Sequence, residues 1–459
     1  MALADLCGKV LRGDVKAEII AVCDATMAER FGDALEAKGC RIAMLDDGSV
    51  SAVQSQERQS FLARLYASFR STAGNGRGSI LARVVFNFLL NTSIVQYLRE
   101  RRITKRIALS KAQAGALLEL AKPDVVLSIS DRSQDYVESG ILWAARKRNI
   151  KIVIPYVAHF DADAAIFNRQ DEKGRLQPEF NPLWPFSLYK FAAYFRFRKQ
   201  TYRNALFQAA FVLNAHRKSG TLSSYPWCIG NGICDVVCVN SQQTEERYVS
   251  RCVPAEKIHI VGDVYYDDVS NSLSQKDYLE PALRKKYALN PDKKIIVLAM
   301  PQYAEQGVLN WKDHWGEIDR VLQSTIETGH NVLISLHPRM DPQDYAFLES
   351  KYPCHIAEER LAEFLPIGDV FVALYSTTII WAVLCGIPSV IMDFHKLSGD
   401  IADDLHTLSI VTEHSALKST IEKTLTDNTV DFRPDWRALS RNDIFDGKTV
   451  QRYRDLFYP

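Results

Sequence analysis

Asn331 to Met340 reads NVLISLHPRM, and Asp369 to Phe394 reads DVFVALYSTTIIWAVLCGIPSVIMDF. Each stretch holds a short apolar run that breaks off at polar residues: Val332 to Leu336 before His337, Pro338 and Arg339, and Val370 to Leu374 before Ser376, Thr377 and Thr378. Such runs predict buried strands, and the residues just past a strand end are where open α/β sheets hold ligands. Ser376 to Thr378 fall where a strand gives way to a helix, whose first unpaired N–H groups favour a phosphate. The two segments are therefore expected to face one nucleotide monophosphate or diphosphate.

The same punctuation runs through the rest of the chain. Ala17 to Cys23 reads as a strand, Thr26 to Lys38 as an amphipathic helix stopped by Gly39, and Arg41 to Leu45 as a strand ending at Asp46-Asp47-Gly48. Asp124 to Ile129 reads as the next strand, with Ser130, Asp131, Arg132 and Ser133 leading into a helix that runs through Arg148. Ile152 to Val157 ends at Ala158-His159-Phe160-Asp161, and Asp235 to Asn240 and Ile258 to Val261 complete the first half. New strands follow at 294–300, 331–336, 370–374 and 388–392. Alternation of this kind predicts an α/β fold with parallel sheets covered on both faces. The expected architecture is two Rossmann-like doubly wound domains facing a cleft, 1–267 and 294–435, with 268–293 as a polar linker between them and 436–459 as a C-terminal helix.

Composition narrows the class. A chain of 459 residues with 47% hydrophobic residues can bury a core in each of two or three domains. A net charge of +1 gives no global attraction to nucleic acid, so none is expected as a partner. The nine cysteines lack zinc-type pairing; Cys228, Cys234 and Cys238 come nearest to a cluster and no matching pair follows. They read as free thiols in a reducing cytoplasm. The opening MALADLCGKVLRGDVKAE carries charge where a signal peptide needs an apolar core, and the expected location is cytoplasmic. The segment 181–203, NPLWPFSLYKFAAYFRFRKQTYR, interleaves aromatic and basic residues without one acid, a pattern that suits the headgroup boundary of an anionic membrane. RRITKR at 101–106 adds to that basic character, and a core helix with a basic water face remains the other reading of 181–203.

His337-Pro338 followed by the Ser/Thr turn resembles the C-terminal half of inverting bacterial sialyltransferases and Kdo transferases, and more loosely other two-domain glycosyltransferases of the GT-B type. The resemblance covers the last third of the chain and the remainder only in outline, and it implies that 1–267 binds the acceptor, that 294–435 binds the nucleotide sugar and that the helix at 436–459 crosses back to the N-terminal domain. It implies an inverting transfer of a CMP-activated sugar, sialic acid, Kdo or a related nonulosonate, onto a surface glycan, glycoconjugate or lipid-linked acceptor, with no cofactor beyond the donor. It also implies a metal-independent reaction, although Asp161-Ala162-Asp163 has the letters of a metal clamp. The nucleotide would meet His337, Pro338, Arg339, Ser376, Thr377 and Thr378, with Gln302 and Tyr303 of MPQYAEQG contributing from the loop after the strand at 294–300.

Sugar transfer also needs a base for the acceptor hydroxyl. Asp46-Asp47-Gly48 matches the acidic-acidic-Gly motif of those transferases, so Asp47 or Asp46 is the first candidate, although the family places more chain ahead of it. A plain Asp-Gly turn reads the same letters. Asp131, His159, Asp161 and Glu305, each just past a strand, compete for the role; Asp131 also reads as a helix cap. Two other enzyme classes share parts of the pattern. KPDVVLSISDRS and VGDVYYD are similar to the non-hydrolysing UDP-N-acetylglucosamine 2-epimerases, whose Ser-Gly-Gly turn is here YSTTIIWAVL, and CDP-polyol phosphotransferases share a His-Pro and a Ser-Ser turn. A nucleotide-binding scaffold without turnover is a further class.

Overall fold

A computed structural model describes residues 2–10, 18–23, 32–33, 35–37, 39–44, 93–132, 136–157, 208, 210–224, 228–305, 308–337, 340–395 and 405–457. Asp46, Asp47, His159, Asp161, Pro338, Arg339 and the segment 181–203 lie outside the described residues. The chain forms two compact units: one of residues 1–155, 169–237 and 248–259, the other of residues 156–168, 238–247 and 260–459.

Strands β1 (Ile19–Cys23) and β2 (Cys40–Met44) pair in parallel as a two-stranded sheet. β3 (Val125–Leu127), β4 (Lys151–Ile154), β5 (Val236–Val239) and β6 (Ile258–Ile260) form a four-stranded sheet in that order, with β3 to β4 and β4 to β5 parallel. Helix Tyr136–Lys147 connects β3 to β4 and buries Val137, Leu142, Ala144 and Ala145. The long helix Ser93–Ala121 buries Ile103, Ile107, Ala114 and Leu118, a stripe at helical spacing.

The second unit holds a six-stranded sheet of β7 (Ile295–Ala299), β8 (Asn331–Ser335), β9 (His355–Ile356), β10 (Val370–Ala373), β11 (Ser389–Met392) and β12 (Leu408–Val411), in the order β12-β11-β10-β7-β8-β9. Every pair is parallel. Because successive strand residues point to opposite faces, the apolar runs divide into two cores. Ile295, Val297, Leu333, Phe371, Ala373 and Ile391 join one cluster, with Val269 and Leu283 from the helices Tyr266–Ser274 and Lys276–Lys286. Ile296, Leu298, Val332, Ile334, Val370, Val372, Val390 and Met392 join the other, beneath the helices Trp311–Ile326 and His414–Thr426. Helices thus cover both faces of a doubly wound parallel sheet.

Residues 268–293, expected to be a linker, contribute to this core: Val269, Leu283, Tyr287 and Leu289 are buried in it while the polar residues between them face outward. β9 and β12 were not anticipated; each is short and interrupted by polar residues.

Candidate functional site

In the six-stranded sheet the chain starts at β7, moves one way through β8 and β9, then returns to β10 on the other side of β7. The connections leave β7 and β10 in opposite directions, and the carboxyl ends of strands at such a divergence are the usual ligand position in sheets of this kind. Since the strands are parallel, the segments following β7, β8, β10 and β11 all emerge at this edge. They carry Gln302, Tyr303 and Glu305, then His337, then Ser376, Thr377 and Thr378, then Asp393, Phe394 and His395.

After β10 the chain turns into the short helix Thr378–Leu384, whose Ile379 to Leu384 are all buried. The Ser376 and Thr378 hydroxyls lie 2.9 Å apart, and the Ile379 and Ile380 N–H groups already donate to the Ser376 and Thr377 carbonyls at 3.1 Å each. Ser376, Thr377 and Thr378 are half-buried. Trp381 anchors the helix by donating its ring N–H to Asp263 at 3.4 Å, and Tyr375 reaches Asp393 beyond β11 at 3.4 Å. His337 is exposed, on a turn in which its carbonyl accepts the Met340 N–H at 2.8 Å and its own N–H points at the Met340 sulfur at 3.4 Å.

The loop after β7 is built more tightly. Tyr303 is 1% exposed, its carbonyl accepts the N–H groups of Val308 at 2.8 Å and Leu309 at 3.1 Å, and its ring meets His395 edge-on at 4.8 Å. Burial, with Glu317 and Asp393 nearby, pushes its phenol pKa up, so the hydroxyl stays protonated; it is buried without a hydrogen-bond partner among the described residues. Glu305 accepts from the Tyr345 hydroxyl through Oε1, and the Tyr345 oxygen lies 3.0 Å from His314 Nε2. Its other oxygen, Oε2, is buried and has no partner among the described residues. Burial holds His314 below the usual histidine value although Glu305 acts the other way.

Beside this loop, Glu317 takes hydrogen bonds from His414 and Arg320 and lies 4.0 Å from His395. Burial alone would raise the Glu317 pKa, but these two partners outweigh it and leave the carboxyl below its ordinary value. Sequence reasoning missed His314, Glu317, Tyr345, His395 and His414. No spacing connects them; they meet because the helices Trp311–Ile326 and His414–Thr426 share one face of the sheet.

Asp131 belongs to the other unit and has a different environment. It is 4% exposed and accepts the peptide N–H groups of Gly230 at 2.9 Å, Gly232 at 2.8 Å and Cys234 at 3.4 Å. A Cβ on Gly232 would lie 2.3 Å from the Asp131 carbonyl oxygen, so only glycine allows this approach. Both carboxylate oxygens are occupied, which argues for an anchor of the loop 230–234 and against a general base. Burial first, and then Asp131, pushes the Cys234 thiol up, so it is an inert thiol.

Among the described residues no group of His, Cys, Asp or Glu is arranged to hold a metal ion, and no helix is long and apolar enough to cross a membrane.

The fold therefore defines a parallel, doubly wound α/β protein whose candidate site lies at the carboxyl ends of β7 and β10. No family model matches the chain, and no curated protein matches it. Among solved structures it is similar to the UDP-GlcNAc 2-epimerase of Neisseria meningitidis bound to UDP-GlcNAc, at TM-score 0.46 and 12% identity over 99% of this chain and 94% of that one. The UDP-GlcNAc 2-epimerase of Methanocaldococcus jannaschii matches at TM-score 0.47 and 12% identity, covering 100% and 96%. The wall teichoic acid polymerase TagF matches at TM-score 0.40 and 14% identity, covering 80% of this chain and 97% of that one. At these scores the likeness transfers neither substrate nor activity.

Proposed function

We propose that this chain is a metal-independent inverting glycosyltransferase whose donor is a nucleotide-activated sugar, with a CMP-linked sialic acid, Kdo or related nonulosonate as the favoured donor. The observation that carries the reading is the strand order, which places Gln302, Tyr303 and Glu305, His337, and Ser376 to Thr378 on loops leaving one sheet edge around the divergence of β7 and β10. The Ser376 and Thr378 hydroxyls, with His337 and Arg339, meet the charge that builds on the departing phosphate. The acceptor oxygen forms its bond to the anomeric carbon as the bond to the phosphate oxygen breaks, and the acceptor proton passes to a carboxylate. Asp47 or Asp46 is the first choice for that base, followed by Asp161, His159 and Glu305, with Asp131 disfavoured by its three peptide partners. The acceptor is a surface glycan, glycoconjugate or lipid-linked glycan, and the segment 181–203 provides peripheral contact with the cytoplasmic face of a membrane.

Calorimetric titration with CMP, UDP and CDP tests the donor. CMP-selective binding that falls about tenfold in Ser376→Ala and in His337→Ala is the expected result, the loss of a charge-assisted or well-placed hydrogen bond being of that order. Selectivity for UDP turns the assignment toward an epimerase-like enzyme, and for CDP toward a polyol-phosphate transferase. A protein that binds none of the three is not a nucleotide-sugar enzyme.

A further inference from the structure

We infer that Glu305 is the carboxylate through which this site reads a hydroxyl of its ligand's sugar, and that Tyr345 and His314 are buried positioning residues that aim it. The inference rests on the nucleotide-sugar reading for the identity of the ligand and on geometry alone for the relay. Three elements meet here: Glu305 follows β7, Tyr345 ends the helix Pro342–Tyr345 after β8, and His314 lies in the first turn of the helix Trp311–Ile326. Tyr345 and His314 are both 0% exposed.

Donor and acceptor roles along this chain are determined. The Tyr345 hydroxyl has one proton and donates it to Glu305 Oε1, so at 3.0 Å from His314 its oxygen accepts from the ring Nε2–H. His314 is therefore neutral with its proton on Nε2, in keeping with the burial that opposes its ionisation. Its Nδ1 faces no donor, because Trp311, Trp315 and Tyr303 surround the ring edge-on at 5.4, 4.9 and 6.5 Å. The two hydrogen bonds thus run outward in one direction and end on the carboxylate.

The outer end is incomplete. Glu305 Oε2 is buried with no partner among the described residues, and a buried carboxylate oxygen without a hydrogen bond is costly enough to require an occupant. Tyr303, two positions earlier on the same loop, also presents a buried hydroxyl without a partner among the described residues. A carboxylate accepts only, so the group that completes Glu305 is a donor, and its place beyond β7 at the strand divergence is a ligand position. A sugar hydroxyl supplies such a donor, and the protonated Tyr303 phenol can donate to a neighbouring oxygen of the same ligand.

Two measurements test this. In ¹⁵N spectra of the full chain, assigned by comparison with His314→Gln, the His314 ring is expected to carry its proton on Nε2 and to take up a second proton only below the pH at which an ordinary histidine does, and Tyr345→Phe is expected to shift that Nε2 signal. A neutral ring with its proton on Nδ1, or one that titrates as an ordinary histidine, overturns the relay. For the ligand, the nucleotide that binds the unaltered protein is compared with its sugar conjugate and with conjugates lacking single hydroxyls. Glu305→Gln and Tyr345→Phe are each expected to lose about tenfold or more affinity for the conjugate, to keep affinity for the bare nucleotide, and to lose nothing further with one of the deoxy conjugates. Variants that bind the conjugate as tightly as the unaltered protein overturn the assignment of Glu305. If the unaltered protein binds no nucleotide, the nucleotide reading and the ligand given to Glu305 both fail, and the ring measurement still decides the relay.

Discussion

Asp131 and His216 show what a buried polar side chain does when its partners are all inside the protein. Asp131 accepts three peptide N–H groups, from Gly230, Gly232 and Cys234, so its charge organises a loop. Asp131→Asn keeps the shape but weakens three charge-assisted bonds and places an amide donor against peptide donors. A loss of roughly 1.5–3 kcal/mol in urea unfolding is expected. A general base would behave in the opposite way, losing turnover with stability unchanged. His216 is 0% exposed, with Nδ1 2.9 Å from the Thr221 hydroxyl and its ring stacked on Tyr136. Burial first, and Lys111 second, lowers its pKa to about 4. Below the unfolded-state value of about 6.5 the unfolded chain takes up a proton that the folded chain refuses, so stability falls with pH until about pH 4. The full effect is on the order of 3 kcal/mol. His216→Phe, which retains the stacking on Tyr136, is expected to flatten the urea midpoint between those pH values; an equally steep dependence would assign it to other groups.

At the scale of elements, the strands of the large sheet were legible because each apolar run is bounded by polar or glycine residues: the expected 294–300, 331–336, 370–374 and 388–392 overlap β7, β8, β10 and β11 to within about two residues. β9 and β12 lacked that contrast. The helix Ser93–Ala121 was read only for its RRITKR cations, although Ile103, Ile107, Ala114 and Leu118 already marked a buried stripe. The loops at the sheet edge were legible in position but not in partnership. Glu305 was visible as a residue past a strand, whereas Tyr345 and His314, which hold it, are joined to it only by folding. One connection can be tested directly. The helix Thr378–Leu384 ends at Gly386, which has φ +74° and receives the turn through its N–H bond to the Val383 carbonyl at 3.0 Å. Gly386→Ala forces a side chain into the left-handed region beside Trp436, and a loss of about 1 kcal/mol in urea unfolding is expected. An unchanged midpoint would mean that the turn can adopt another conformation without cost.

At the scale of the whole molecule, the second compact unit is assembled from three separated stretches, 156–168, 238–247 and 260–459, and this membership was invisible to any local pattern. Long-range polar contacts join these stretches. The Tyr453 hydroxyl accepts the Tyr156 N–H at 3.0 Å and donates to the Gly262 carbonyl at 3.2 Å, in a side chain that is 0% exposed. The helix Thr449–Phe457 that carries it is held at its start by Asp267, whose two oxygens accept the Thr449 and Val450 N–H groups at 2.8 and 2.9 Å. Tyr453→Phe removes one hydroxyl and strands both of its partners, for an expected cost of about 1–3 kcal/mol. Ending the chain after Lys448 removes the buried Tyr453 and Phe457 together. Aromatic truncations of this kind cost about 3–5 kcal/mol each, so the sum approaches the entire stability of an ordinary domain. The shortened chain is therefore expected to lose its cooperative thermal transition and to be cut rapidly by a nonspecific protease, while Tyr453→Phe remains folded with a lower midpoint. Protease resistance equal to that of the full chain would mean that residues 156–157 and 238–247 are held to the rest of the unit without the terminal helix, and that the Tyr453 bonds follow from the fold and do not maintain it.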